Sequence, residues 1–504
     1  MLAQAHSFVL QGIDAIACEV EVDVVADAMP KTTIVGLPDA AVKESIERVR
    51  AAVTNTGYPF PFARLLISLA PGDVRKEGPV YDLPIAVGVL LAEHVIGSDK
   101  HKRLMFAGEL ALDGRVRPVS GIINLALLCK QLGLDGVVVP QDNSHEAAAV
   151  DGIDVYPADT LASVVSFLNG KLEIDPVAPI DVDEKLKQAM PAADFADIRG
   201  QEAVKRAMTV AAAGGHNIAM IGPAGTGKTM AARALPGILP PLSRDEALQV
   251  TRIYSAVGQV PKGQSLITQR PVRTPHHTAS PPAIIGGGSV PRPGEVSLAH
   301  HGVLFLDEVP EFPRPVLETL RQPLEDGDVT IARAHSSIRF PAQFMLVCAM
   351  NPTPKGDKPA DAFGQKEMDR YLARLSGPLI DRIDIHVEVP RVPYKQLTGK
   401  RNGSSSADLR EAVLAARDRQ SKRNGGPLKR NALLSGRELD KHAALDDAGK
   451  DVLKQGMTEL GLSARAYDKV RRIARTIADL DASESVQLAH VAEAISYRLL
   501  DRER

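Results

Sequence analysis

The sequence predicts an α/β protein in three parts, and three observations predict it. Residues 1–170 mix short alternating strands with amphipathic helices, the pattern of an α+β domain. In the middle, the glycine-rich run GPAGTGKT at residues 222–229 is followed by two apolar strands with polar tips, VLFLDE and FMLVCAMNP. Beyond about residue 400 the periodic segments read as helices. Residues 171–190, KLEIDPVAPIDVDEKLKQAM, combine prolines with acids and read as a linker, and KRNGSSSADLR is a second polar break. The expected boundaries are therefore 1–170, a linker at 171–190, a core at 191–400 and a helical region at 401–504.

Within the first part, ACEVEVDVV at residues 17–25 alternates apolar and polar residues as a half-buried strand does. The stretch DAAVKESIERVRAAVTNTG opens on Asp39 as a helix cap, repeats Val42, Ile46, Val49 and Val53 on one face, and stops at Gly57. RLLISLA is a further strand, and DLPIAVGVLLAE a buried helix with Asp82 as cap and Pro84 in its first turn. The tail supplies LREAVLAARDRQSKR, ELDKHAALDDAGKDVLKQGMTELG, ARAYDKVRRIARTIADL and SVQLAHVAEAISYRLL as helices. No long-period repeat is present.

Bulk properties narrow the function classes. A chain of 504 residues is too long for one core and fits roughly three units. A net charge of -2 gives no global pull toward nucleic acid, so a polyanion site has to be a local concentration of Lys and Arg. Cys18, Cys129 and Cys348 lie far apart without CxxC spacing and read as buried thiols in a reducing compartment. No apolar run reaches membrane-spanning length, and MLAQAHSFVLQ lacks a basic start and apolar block; the expectation is a soluble cytoplasmic protein with no membrane partner.

The run at 222–229 has G-x4-G-K-T spacing. Gly222, Pro223, Ala224, Gly225, Thr226 and Gly227 form a loop whose amides wrap a phosphate chain, while Lys228 and Thr229 reach the phosphates and a magnesium ion. About eighty residues on, VLFLDE ends in two acids: Asp307 to hold Mg2+ and Glu308 to polarise the attacking water. Two solvated acids at the end of a buried strand are the plainer reading of that run. FMLVCAMNP delivers Asn351 at its end, either to orient a water beside a γ-phosphate or as a turn former before proline.

Together with DIRGQEAVKRAM, GPLIDRIDIHVEVP and LSARAYDKVRRIARTIADL, these motifs resemble the YifB/ComM family of magnesium-chelatase-like AAA+ ATPases, and the resemblance runs the length of the chain. It implies a P-loop αβα sandwich with a helical lid, assembled as a homo-hexameric ring that hydrolyses ATP with Mg2+. It further implies Ile198 beside the nucleotide, Asn351 as sensor, Arg382 of LIDRID as the arginine finger entering the neighbour's site, and Arg465 of SARA as a lid arginine on the γ-phosphate. Without it, Arg382 reads as an internal salt bridge to Asp381 or Asp384. FAGELALDGRVRPVSGI and KEGPVYDLPIA resemble the Lon-protease-like domain of this family, with Val80 where a serine nucleophile belongs and Ile123 near the lysine, so peptidase chemistry is not expected.

Two cargoes follow from the resemblance. One is DNA, branched or single-stranded joint molecules driven through branch migration in recombination and natural transformation by a helicase-like motor. The other is a protein partner remodelled for metal insertion, as by a chelatase; the partner's D-x-S-x-S motif is absent, NGSSS lacking the acid. Residues 391–430 hold eleven Lys and Arg against three acids, a DNA contact or a solvated face. The family's two pore inserts have counterparts carrying Arg252 and Tyr254, and Arg333, His335 and Arg339 on a hairpin DVTIARAHSSIRF; subunit contact or loop packing are the alternative roles. The pairs His276–His277 and His300–His301 do not share a face and lack further ligands for zinc. The insert after Asn351, often cysteine-rich in this family, has no cysteine here.

Overall fold

The computed structural model describes residues 2–25, 29–189, 193–261, 263–333, 336–353, 371, 373–394, 404–498 and 500. The chain forms two compact units. One comprises Met1–Lys187, Ser243–Thr268 and Val290–Pro293, the other Gln188–Leu242, Gln269–Ser289 and Gly294–Arg504. These units cut across the boundaries expected from chain order: the stretch Ser243–Thr268 groups with the N-terminal region, and the helical tail groups with the central core.

Among the described residues the first unit contains a seven-stranded sheet. Its strands are β1 (Leu2–Gln11), β2 (Asp14–Val25), β3 (Lys31–Val35), β4 (Arg64–Ala70), β5 (Leu104–Phe106), β6 (Gly136–Pro140) and β7 (Asp154–Ala158), in the order β3-β4-β2-β1-β5-β6-β7. The expected strands at 17–25 and RLLISLA are β2 and β4, paired antiparallel. Helix α1 (Ala40–Asn55) begins where its sequence says it should, the Asp39 carboxylate accepting the Val42 amide at 2.8 Å. Helix α2 (Asp82–Ala92) is buried over its whole length, which explains its unbroken apolar composition.

Asp82 is not the cap of α2. It lies inside the first turn, 0% exposed, and its carboxylate receives Arg48 Nε at 2.7 Å, Arg48 Nη2 at 3.0 Å and the Leu110 amide at 3.1 Å. Burial pushes its pKa up while Arg48 and the other donors pull it back. A bidentate guanidinium partner is what makes a buried carboxylate tolerable, and a capping position would forgo it. Val80 is half-buried in a short turn and Ile123 is buried in α3 (Ile122–Gln131), so neither position offers a nucleophile or a base.

The helix Arg244–Ala256 belongs to this unit for a visible reason. Glu146, at the end of α4 (Gln141–Ala147) and 5% exposed, accepts the Ile123 amide at 3.0 Å, Asn143 Nδ2 at 3.3 Å and the Ser255 hydroxyl. Burial raises its pKa against those donors.

The second unit holds, among the described residues, a five-stranded parallel sheet. After α5 (Leu161–Leu168) and α6 (Glu202–Gly214), the chain contributes β8 (Ile218–Ile221), β9 (Val272–Arg273), β10 (Val303–Leu306), β13 (Met345–Met350) and β14 (Ile385–Glu388), in the order β9-β10-β13-β8-β14. IAMI, VLFL and MLVCAM are buried almost throughout, as central parallel strands covered on both faces must be. The expected hairpin forms from β11 (Asp328–Arg333) and β12 (Ser336–Pro341), antiparallel with Thr330 opposite Arg339. Parallel pairing puts the C-terminal ends of β8, β10 and β13 along one edge, where the intervening loops gather.

The tail is helical as expected, with Ser406–Asn424, Gly436–His442, Asp447–Leu460, Ala464–Leu480 and Leu488–Ser496. Its basic residues are largely used internally. Arg410 donates to Gly237 O at 2.7 Å, Arg417 to Ala212 O at 2.8 Å, and Arg419 to Asp479 O at 2.8 Å. Arg423 pairs with the buried Asp479 at 2.8 Å, Lys422 with Asp418 and Lys429 with Glu438. Helix ends such as that of α6 leave carbonyls without intrahelical partners, and these guanidinium groups satisfy them. Four arginines of the segment that suggested a DNA contact, Arg410, Arg417, Arg419 and Arg423, are structural donors.

The pair His300–His301 precedes β10, and His300 is 2% exposed with Nδ1 accepting the Gln343 amide at 3.1 Å. Burial, with His301 stacked at 3.9 Å between ring centroids, pushes this imidazole down to about 3. A base whose folded pKa lies below its unfolded value stabilises fully above the unfolded value and loses that contribution as pH falls toward the folded one. The expected result is a loss of roughly 2 kcal/mol between pH 7 and pH 5. Thermal unfolding across that range should show it, and His300→Asn, which keeps an acceptor without titrating, should flatten the slope.

Candidate active site

Between β8 and the helix Lys228–Ala234 the chain turns through the loop at 222–227. Gly222 donates its amide to Met350 O at 3.1 Å, and a Cβ there would lie 2.2 Å from Val389 O, so the close approach of two strands demands glycine. Gly225 at φ 75° and Gly227 at φ 92° adopt left-handed backbone, which turns successive amides to one side as anion-binding loops do. Thr226 Oγ1 closes the turn on Pro223 O at 2.9 Å, and Ala224 is exposed at its tip.

Lys228 is 7% exposed, and its Nζ donates to Gly222 O at 2.6 Å, Pro223 O at 2.8 Å and Asn351 Oδ1 at 3.1 Å. Burial lowers its pKa, while Asp307 and Glu308 pull it upward. Asn351 therefore follows β13 directly to the lysine, one strand away in the sheet. Thr229 Oγ1 donates to Asp307 Oδ2 at 3.0 Å, and Asp307 Oδ1 accepts the Glu308 amide at 3.0 Å. A hydroxyl and a carboxylate brought together beside a phosphate loop fit a hard, oxygen-seeking cation such as Mg2+.

Glu308 has φ 53°, left-handed in a non-glycine residue. Such strain costs of order 1–3 kcal/mol and concentrates at functional positions. Its carboxylate is half exposed, with His277 Nδ1 at 3.9 Å from Oε2.

Arg382 and Arg465 are engaged elsewhere. Arg382 Nη1 donates to Pro378 O at 2.6 Å and Nη2 pairs with Glu325, while Arg465 Nη1 meets Asp381 Oδ2 at 2.9 Å. The internal pairing of Arg382 with Asp381 or Asp384 does not occur: Asp381 holds Arg465, and Asp384 holds Lys469 at 3.3 Å. Burial works to raise the Asp384 carboxyl, but Lys469, His216 and Arg498 outweigh it and hold it below the usual carboxylate range. Asn217, just before β8, donates Nδ2 to Arg382 O at 2.9 Å, and Ile218 stands opposite Ile385. Arg382 therefore sits at the N-terminal edge of the β8–β14 pair, and the phosphate loop at the C-terminal edge.

Ile198 is 5% exposed and packed in the core of this unit. The neighbour that the sequence reading missed is Gln201, whose Nε2 bridges Thr226 O at 3.3 Å and Pro390 O at 2.6 Å. Its signal was the RGQ of DIRGQEAVKRAM, where a left-handed residue at φ 59° starts α6.

The pore-insert candidates divide. Arg252 donates to Asn124 Oδ1 at 3.1 Å and Asp14 Oδ1 at 2.8 Å, within the first unit, the loop-packing alternative for this residue. Tyr254 lies half-buried on the same helix, its carbonyl accepting the Gln259 amide. Arg339 is 74% exposed on the hairpin and pairs with Asp328, and Arg333 ends β11. His335 and the insert at 354–370 lie outside the described residues. Among the described residues no group of three or more His, Cys, Asp or Glu could hold a metal, and no helix is long and apolar enough to cross a membrane.

The family model described as magnesium chelatase, subunit ChlI, matches residues 194–397; related models for the ChlI subunit and its C-terminal part match 20–143 and 403–498. Competence protein ComM of Haemophilus influenzae is 43% identical over 99% of this chain and 98% of its own length. The uncharacterized protein YifB of Escherichia coli is 42% identical with the same coverage. Lon protease 2 of Bacillus subtilis is 30% identical over 124 residues, 24% of this chain and 22% of that protein.

Proposed function

This chain belongs to the ComM/YifB family of magnesium-chelatase-like AAA+ proteins, and on that premise we propose that it is a ring-forming ATPase, most simply a hexamer, that couples ATP hydrolysis to movement along DNA. The observation that carries the reading is the separation of Arg382 from the phosphate loop of its own chain. The two occupy opposite edges of β8 and β14, about 13 Å apart along four residues of strand. A site that is complete except for an arginine held at the far edge is a site that a neighbour completes.

In this reading the amides of 222–227 and the Lys228 ammonium take the β- and γ-phosphates, and Thr229 and Asp307 hold Mg2+. An ion held there would neutralise charge on the phosphate oxygens. Glu308 polarises the attacking water, and Asn351, already bonded to Lys228, orients it beside the γ-phosphate. Arg382 reaches into the adjoining protomer's site, where it stabilises the charge that develops in the transition state. Arg465, paired here with Asp381, is the lid arginine that contacts a γ-phosphate.

A relative named as a competence protein supports DNA as cargo and natural transformation as setting. The exposed Arg339 is a candidate for the contact, as is Arg333 at the end of the partner strand of the hairpin. Purified protein incubated with ATP and three- or four-stranded DNA should migrate or unwind the branch, with Glu308→Gln as the inactive control. Rapid ATP turnover with no strand movement at low salt would transfer the motor to a protein cargo.

A further inference from the structure

His276 and His277 have no part in the mechanism above, yet the sheet carries them to it. Strand β9 lies parallel beside β10, with Val272 opposite Val303 and Arg273 opposite Leu304. The chain leaving β9 therefore emerges at the same edge, and within a few residues of the same level, as Asp307 and Glu308 leaving β10. We infer that His277 is a positioning residue for Glu308, aiming the carboxylate at the attacking water. This rests on the ATPase reading of Glu308 and adds a residue to it.

Three features of the site support the assignment. Among the described residues, the His277 ring stands beside the Glu308 carboxylate, Nδ1 to Oε2 at 3.9 Å. Such contacts are often long without substrate and tighten in the reacting complex. The half-buried His277 ring has neighbours of its own: the exposed His276 lies tilted against it with centroids 4.1 Å apart, and the buried Phe312 meets it edge-on at 6.4 Å. His276 is fixed in turn by Thr278, whose hydroxyl lies 2.9 Å and whose amide 3.3 Å from its Nδ1. The Glu308 backbone is held in its left-handed conformation by the turn, so the remaining freedom lies in the side-chain torsions. A ring nitrogen beside the carboxylate biases those torsions, and a general base misplaced by about 1 Å forfeits up to about a hundredfold in rate.

The test is steady-state ATPase together with nucleotide affinity on the assembled protein. His277→Ala should lower kcat about tenfold while KM and nucleotide affinity stay as in wild type. His277→Asn, which retains a donor toward the carboxylate, should recover part of the loss. In a Glu308→Gln background, His277→Ala should cost nothing further, because its effect passes through that carboxylate. An unchanged kcat in His277→Ala beside an inactive Glu308→Gln protein overturns this inference alone. So does a second, additive loss in the double variant, or an Asn variant as slow as Ala with weakened nucleotide binding. A Glu308→Gln protein that turns over at the wild-type rate removes the base assignment itself, and the positioning role with it.

Discussion

Arg382→Ala should bind ATP as wild type does and hydrolyse it at least about 10³-fold more slowly, the scale of an arginine finger's contribution. Binding survives because nothing around Arg382 belongs to its own chain's phosphate loop. Its contacts are Pro378 O, Glu325 and, through its carbonyl, Asn217 at the start of β8. Burial lowers the guanidinium's pKa, and the nearby Arg321 and Arg465 add to that. Mixing supplies the sharper measurement. Lys228→Ala and Arg382→Ala rings should each be inactive, whereas rings assembled from both should regain activity. Interfaces that join an intact phosphate loop to an intact Arg382 are then complete. A wild-type rate from Arg382→Ala, or from a protein that stays monomeric with ATP and DNA bound, would remove the finger and the ring together.

How much of this was legible beforehand depended on how local each signal is. The phosphate loop, the two acids after β10 and the hairpin were readable because short contiguous runs encode them, through glycine spacing, uninterrupted apolar strands and alternating residues. Asp39 was readable for the same reason, since a cap bonds three residues ahead. Asp82 was misread because its partner, Arg48, lies 34 residues away, and sequence spacing around a helix start says nothing of a guanidinium arriving from another helix. The basic segment at 391–430 was ambiguous for a related reason. Charge counts register Arg417 and Arg423 but not the carbonyl of Ala212 or the buried Asp479 that take them up. Arg252 shows the same limit, because its partners Asn124 and Asp14 are more than a hundred residues away. His277 was dismissed as half of a metal pair. Only the register of β9 on β10 brings it to Glu308.

Lys228→Ala and Glu308→Gln should fail in different ways, and the difference tests whether the two ends of the site do different work. The Lys228 ammonium is 7% exposed and spans the loop from Gly222 O to Asn351 Oδ1. Hydrogen bonds to charged groups contribute about 1.5–3 kcal/mol each, so losing two phosphate contacts should weaken ATP binding by about 10²- to 10⁴-fold. Turnover should disappear with occupancy. The Glu308 backbone is anchored through the Asp307 carboxylate, and its side chain extends toward His277. Glutamine fits the same turn and keeps the hydrogen-bonding shape but cannot accept the water's proton, which should cost about 10²- to 10⁴-fold in kcat with nucleotide affinity retained. Binding measured with a fluorescent ATP analogue, alongside phosphate release from the same preparations, separates the two. If Glu308→Gln loses nucleotide as Lys228→Ala does, the carboxylate supports the loop and is not the base. If Lys228→Ala binds ATP normally, the buried ammonium serves the three acceptors it already has, and the phosphates are held by backbone amides alone.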